Sequence, residues 1–575
     1  MKKLFSIASA IALLGCGAEP TKYDPDDGMD ADADSDSDAD ADNDADSDTD
    51  ADTDADSDTD TDADTDTDTD SDADTDTDTD TDTDTGTDTD TGTDTDTGTD
   101  TDTGTGPDED GQLAWAVRAG GSGDEWTSAI DTLSDGSSLA AGLFQSSATF
   151  GPGETNETIL ASAGERDIYL ARYAPDGALD WAVRAGGESN DYAYEIAALT
   201  DGGSIITGHF YETTTLGLGE TNETTLTALG GTAMLIARYS PTGELEWAKC
   251  TSGYDYEHGE DISCLQDGTT FVTGYFSGSP TFGPGEANET TLSEAGTFDV
   301  FVAKYNPDGT LGWVSRATGS AYQIGEDVVA LSDGGCLVTG DFEGTTAFGP
   351  GESEETELSA EGYSDIFVAR YEADGSLAWA KSAGGAAYSD TGFAIDALSD
   401  ESFTIAGQVG STATFGSGET NETELALPGI ANIFVAHYAA DGSLEWAKGA
   451  GSAGSTNAKD VSLTSDGTAL VTGYMEGTVT FAEGEDNETE LVSGGTSDAF
   501  VARYEPDGTL GWARRAGGSY ISDYASGMSV SVLADESSIV TGKFRYEATF
   551  GQGETNQTTL TSAGEDDVFV VKYGP

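Results

Sequence analysis

Tryptophan recurs through most of this chain at a near-constant interval, always as Leu-x-Trp: Trp115, Trp181, Trp247, Trp313, Trp379, Trp446 and Trp512. Successive steps are 66, 66, 66, 66, 67 and 66 residues. Self-similarity at a fixed period means one supersecondary unit copied along the chain, in which each copy buries its apolar face against its neighbours.

Each unit reads alike. A strand such as Leu179–Arg184 alternates large Leu179, Trp181 and Val183 with Asp180 and Ala182. A Gly-Gly loop with variable polar and aromatic residues follows. Then comes a hairpin, for instance Glu195–Leu199, the turn Asp201-Gly202, and Ser204–Phe210. A longer segment rich in Gly, Glu and Thr leads to the most apolar strand, as in Asp299–Tyr305, and a Pro-Asp-Gly turn (Pro307–Gly309) opens the next unit. Four strands joined by short turns make one antiparallel blade. The runs are too short and too rich in β-branched and aromatic residues for helices.

The predicted fold is therefore all-β: a seven-bladed β-propeller of four-stranded antiparallel blades, with repeats starting near Gly111, Gly177, Gly243, Gly309, Gly375, Gly442 and Gly508. A straight β-solenoid would need shorter, more regular coils. The first unit opens on its Trp strand, Gln112–Arg118, and the last closes on its apolar strand, Asp567–Tyr573. These two are expected to pair, so that the last blade takes three strands from the C-terminal end and one from the N-terminal end. Such closure removes open sheet edges and predicts a monomer.

The unit resembles the seven-bladed β-propeller repeat proteins secreted by bacteria. The residues that carry the resemblance are Ala-Gly-Gly before the hairpin, Asp-Gly within it, Val272–Phe276 after it, and Asp365–Tyr371 with the adjoining turn. It covers about Gly111 to Pro575. Together with the N-terminal segment, the chain looks like the Asp/Thr-rich lipoproteins of Gram-negative bacteria. The resemblance implies a fold and leaves the activity open, because propellers host many functions.

Residues 1–15 read as a lipoprotein signal peptide: Lys2 and Lys3 precede the apolar run Leu4–Leu14, which is too short to span a bilayer stably. Leu13-Leu14-Gly15-Cys16 looks like a lipobox, so Cys16 is the expected site of diacylglycerol and palmitate-type acylation, and several acyl chains give lasting attachment. Gly17 in place of Asp points to the outer membrane, facing the periplasm or the cell surface. Residues 16–110 form a tether in which Asp alternates with Ala, Ser and Thr from about Asp24 to Gly106. It holds too little apolar surface to offset ordering entropy, and its contour is on the order of 270 Å at about 3.3 Å per residue. Calcium is a candidate ligand of its D-x-D runs, although they lack the fixed turn and bidentate Glu of a specific loop.

The chain carries 111 acidic and 21 basic residues, a formal charge of −90. That balance argues against nucleic acid as a partner. Cys250, Cys264 and Cys336 are too few for a disulfide framework. No nucleophile motif, zinc spacing or phosphate loop is present, so the reading leans away from an enzyme and assigns no cofactor. His209 and His258 fall on the same face of neighbouring units and could hold a metal only with help from Asp255 or Glu257. The Glu of the Gly-x-Gly-Glu motif recurs at Glu154, Glu220, Glu286, Glu352, Glu419, Glu485 and Glu554. Its sevenfold identity favours a repeated backbone-bonding turn over a cation site.

One feature does differ between units. The loops joining each Trp strand to the next hairpin carry Trp126, Tyr192, Tyr194, Tyr254, Tyr256, Tyr322, Tyr388, Tyr520 and Tyr524 beside Asp124, Asp191, Asp255 and Asp523. Aromatic faces next to carboxylates suit sugars, peptides or cationic groups. The expected function is a membrane-anchored extracytoplasmic binding module for a glycan or protein. A hydrolase or lyase using loop acids and a metal, and a structural envelope spacer, are the alternatives.

Overall fold

The computed structural model describes residues 111–575; Cys16, the expected lipidation site, and the expected tether lie outside the described residues. Within them the secondary structure is antiparallel β-strand, with no helix. A four-stranded antiparallel unit recurs along the described residues. One consists of Glu257–Cys264, Thr270–Phe276, Asp299–Tyr305 and Leu311–Gly319, hydrogen-bonded in that order. The Trp strand is the outermost of the four, and the strand after the Gly-Gly loop is the first.

Every first strand carries a β-bulge, such as that between Gly259 and Asp261. The bulge explains a glycine in the Val-Thr-Gly-Tyr-Phe run: a Cβ on Gly274 would lie 2.1 Å from the His258 carbonyl oxygen. The Pro-Asp-Gly turn has a similar cause. Gly309 has φ +77° and lies against the Trp247 indole, where a Cβ would come within 2.8 Å of the ring. The indole N–H groups of Trp115, Trp181, Trp313 and Trp446 donate to the carbonyls of Pro175, Pro241, Ala373 and Pro506 in the corresponding turns.

The Gly-, Glu- and Thr-rich segment is more than a connection. It forms a small hairpin, Ser147–Phe150 with Thr158–Ala161 in the first case, and this clips onto the Trp strand of the preceding sheet through Gly120 and Gly121. The recurring Glu holds the clip. Glu154, Glu220, Glu286, Glu352, Glu419 and Glu554 each accept the backbone N–H of the Leu that opens a Trp strand, all at 2.7 Å. In the same motif Asn288 Nδ2 donates to the Leu311 carbonyl at 3.1 Å. Glu and Asn thus bracket the backbone of one residue, Leu311, which is the backbone-bonding turn role.

The strand Leu113–Gly121 pairs antiparallel with Thr558–Tyr573, Val117 lying opposite Val570. Glu554 and Asn556 grip Leu113 as their counterparts grip other units. Apolar cores lie between consecutive sheets, and one of them joins Phe144, Tyr169 and Leu179 to Ile539, Val568 and Val570. Each first strand lies beside the next, and Tyr524–Val532 lies beside Glu125–Thr132. These features describe a β-propeller-like repeat fold.

Candidate functional site

The seven first strands line one cavity of about 210 Å³. It is walled by Asp131, Glu195, Asp261, Asp327, Asp396 and Asp460. These acids have a structural task. A first strand has no ladder partner on its inner edge, so backbone N–H groups there need other acceptors. Carboxylates of the neighbouring unit supply them: Asp131 accepts from Ala198, Asp261 from Val328, Asp327 from Ile395, Asp396 from Leu463 and Asp460 from Val530, at 2.7–2.9 Å. Burial, first, and then the Glu195 carboxylate push Asp261 up to about 8. Burial also lifts Asp460 to about 8 and Asp396 to about 6.

One layer along the first strands, the repeat loses its symmetry. The residues just before the bulges, with their partners on the second strands, are Trp126 with Leu143, Tyr192 with His209, His258 with Tyr275, Ile324 with Asp341, Thr391 with Gln408, Asn457 with Tyr474, and Ser526 with Lys543. The backbone is the same in each case and the side chains are not. Four consecutive units supply a connected arc of aromatic and cationic groups. The Lys543 ammonium sits 3.9 Å from the Trp126 ring centroid and 5.3 Å from that of Tyr524. The Arg166 guanidinium sits 5.5 Å from Trp126 and donates to the Tyr192 hydroxyl at 2.9 Å.

The arc continues through stacked rings. Tyr192 lies 4.6 Å from His209, and His209 lies 3.7 Å from His258 at an interplanar angle of 17°. His258 Nδ1 is 2.8 Å from the Tyr275 hydroxyl, and Phe298 links Tyr275 to Tyr322. Face-to-face imidazoles do not converge their nitrogens on one ion. Glu257 is turned instead toward the Thr251 hydroxyl, 3.3 Å away. Among the described residues no group of three or more His, Cys, Asp or Glu side chains has metal-holding geometry.

The nine aromatics singled out from the sequence separate into two sets. Trp126, Tyr192, Tyr194 and Tyr524 lie on first strands rather than in loops, and Tyr322 immediately precedes one. Tyr256, beside the Glu257–Cys264 strand, touches Phe298 at 6.4 Å. Tyr254, Tyr388 and Tyr520 are loop residues, 73%, 43% and 68% exposed, outside the arc. Sequence reasoning passed over Arg166, Lys543, Tyr275 and Phe298. A signal for the cations was present, since both depart from the positions at which Lys and Arg repeat.

Buried acids sit at the base of the same layer. Glu125, 1% exposed, accepts the Gly121 N–H at 2.7 Å, and burial pushes its carboxyl up to about 8. Asp191 accepts the Gly187 N–H at 2.7 Å and is lifted to about 7, again chiefly by burial. Cys250, Cys264 and Cys336 are free thiols. Burial raises the pKa of all three, to about 12 for Cys264, which leaves them poor nucleophiles.

No family model matches the chain. It is 21% identical over 544 residues to an uncharacterized WD repeat-containing protein of Acanthamoeba polyphaga mimivirus, an alignment covering 81% of this chain. It spans only 39% of that protein's length. A crystal structure of a protein of unknown function from Bacteroides caccae overlaps 49% of this chain and 89% of its own, at 10% identity and a TM-score of 0.22, which carries no weight for fold or function. The WD-repeat similarity and the all-β repeat architecture together fit a β-propeller repeat protein.

Proposed function

We propose that the seven sheets close into a ring and that the chain is an interaction module whose ligand meets the asymmetric layer at the ring's mouth. Supporting the ring are the pairing of Leu113–Gly121 with Thr558–Tyr573 and the contact between the last first strand and the first. The similarity to a WD repeat-containing protein is in keeping with a protein-interaction role. One observation carries the functional reading: a scaffold repeated almost without change bears a different first-strand side chain at one register layer in every unit, and four adjacent units fill that layer with aromatic and cationic groups. A pure spacer would have no use for such a departure.

The module is further proposed to be held outside the cytoplasm by acyl chains on Cys16, at the outer membrane. Replacing Cys16 with Ser should move the protein to the soluble fraction and abolish palmitate labelling. The binding reading is tested by displaying the purified chain to peptide and glycan arrays and repeating the display with substitutions. Trp126→Ala and His258→Ala should weaken the strongest signals by about tenfold, the loss of one well-packed contact of about 1.4 kcal/mol. Tyr254→Ala, Tyr388→Ala and Tyr520→Ala should leave them unchanged. The reverse pattern would move the site to the exposed loops.

A further inference from the structure

One unit departs from the repeat at the far end of its strands from the mouth layer, where Phe403 pairs with Ala397 while Gln408 pairs with Thr391. The residue opposite the last Tyr of the third strand is small in six units: Ser138, Ser204, Thr270, Cys336, Ala469 and Ser538. In the remaining unit it is Phe403, opposite Tyr438. Phe403 is buried and stacks on Tyr438, the ring centroids 5.1 Å apart at an interplanar angle of 10°. It also faces the Trp379 indole of the preceding unit at 6.2 Å and 24°. That indole is turned away from the pose of its counterparts. In the other six units a Cβ on the turn glycine would meet the ring-fusion atom Cδ2 of the Trp, as Gly375 would with Trp313. A Cβ on Gly442 would instead meet the far edge of Trp379, Cη2 and Cζ2, at 3.0 and 3.1 Å. A cavity of about 290 Å³ opens here between the two sheets, with Trp379, Phe403, Tyr438, Ile366 and Val368 among its walls.

We infer that this cavity is a second binding site, and that it takes an uncharged aromatic compound of one or two rings carrying a hydroxyl or carbonyl oxygen. Its volume lies at the lower end of small-molecule pockets, which suits a guest of that size. Its walls present three aromatic side chains, two of them already stacked nearly parallel, so a flat ring extends an existing stack. Left empty, a cavity with such walls forfeits dispersion contacts that a flat guest restores. The charged part of the lining is a matched pair. The Lys381 ammonium donates to the Glu419 carboxylate at 2.9 Å and to the Gly442 carbonyl. The pair presents no net charge, so a charged guest would give up its water with no free opposite charge to meet it. An ammonium carries three N–H donors, and the third is the one a guest oxygen engages. The site lies apart from the mouth layer, and the inference does not depend on the binding reading above.

The test titrates 2-naphthol into the full chain in an isothermal calorimeter, with its saturated analogue 2-decalol as the control. 2-Naphthol should bind, and 2-decalol should bind about tenfold more weakly because it cannot stack. Phe403→Ser gives this unit the residue that three others carry at the same register position. It should let the indole return to the pose of its counterparts and cost 2-naphthol about tenfold or more. Ser417 is exposed at the edge of the cavity, and its counterpart in the Gly-x-Gly-Glu motif of an earlier unit is Leu218. Ser417→Leu should therefore keep the fold, narrow the entrance and weaken 2-naphthol by a similar factor. It decides the matter if Phe403→Ser unfolds in a thermal melt. No binding of 2-naphthol, equal binding of 2-decalol, or unchanged 2-naphthol affinity in either folded variant would overturn the inference. The peptide and glycan displays read the mouth and these titrations read the cavity, so failure of one is told apart from failure of the other.

Discussion

Two residues that recur with the units, a glutamate and a glycine, each secure a backbone contact. Glu286 accepts the Leu311 N–H and also meets Lys249 at 2.8 Å, so it ties the outer clip to the neighbouring Trp strand by one charged acceptor. Truncating it strands a backbone donor. Glu286→Ala should lower stability by about 1–3 kcal/mol, measurable as a fall in the urea midpoint, and Glu286→Gln should cost less because the amide oxygen still accepts. Gly274 has no such tolerance. A Cβ 2.1 Å from the His258 oxygen cannot be relieved by a side-chain rotation, because the obstacle is backbone. Gly274→Ala should therefore be more damaging than Glu286→Ala, and a melt in which it is neutral would show that the first-strand bulge yields easily. The repetition of both residues was legible in the chain, and so was the backbone-bonding role of the glutamate. The contact that demands the glycine was not, because it joins atoms brought together only by the bulge.

At the level of elements, the four strands of each unit follow from alternation and turn residues. The outer hairpin does not. Its strands are as short as two residues at Thr281–Phe282 and Thr290–Thr291, too short for any periodicity to show. Their order comes from the neighbouring sheet. The pairing of Leu113–Gly121 with Thr558–Tyr573 supplies a sharper test. Val117 sits mid-ladder, opposite Val570 and flanked by paired Ala116 and Arg118. Val117→Pro removes a backbone donor from a central register position and should cost about 3 kcal/mol or more, seen as a lower and broader thermal transition. A transition as sharp and as high as that of the unaltered protein would mean that this strand contributes little to holding the ends of the array together.

Across the whole molecule, titration of the buried acids sets the pH response. Glu125, Glu257, Asp261 and Asp460 are raised to about 8, and Asp191 and Asp390 to about 7, in each case first by burial. A carboxyl whose folded pKa exceeds its unfolded value binds a proton more tightly when folded. The stability it confers is complete below about pH 4 and is lost as the pH rises through 7 to 8. Surface turn acids such as Asp135 and Asp267 are shifted the other way by their hydrogen bonds to Ser137 and Thr269, and their contribution is lost as the pH falls below about 4. The urea midpoint should accordingly be higher at pH 5 than at pH 8. A midpoint that rises steadily from pH 5 to pH 8 would show that the cavity acids ionise without cost.

The seven tryptophans, the Asp-Gly and Pro-Asp-Gly turns and the alternating strands determined the all-β repeat by local chemistry alone, because turn geometry and strand periodicity are properties of neighbouring residues. The sequence also marked Trp126, Tyr192 and Tyr524 as departures from the repeat. Only the tertiary structure decided what those departures amount to. Placing equivalent register positions of successive units side by side puts Arg166 and Lys543 on the Trp126 ring and His209 against His258, contacts between residues tens to hundreds of positions apart in the chain. It likewise turned the acids of the first strands inward to meet backbone donors of the next unit, a partnership that exists only once the sheets stand face to face.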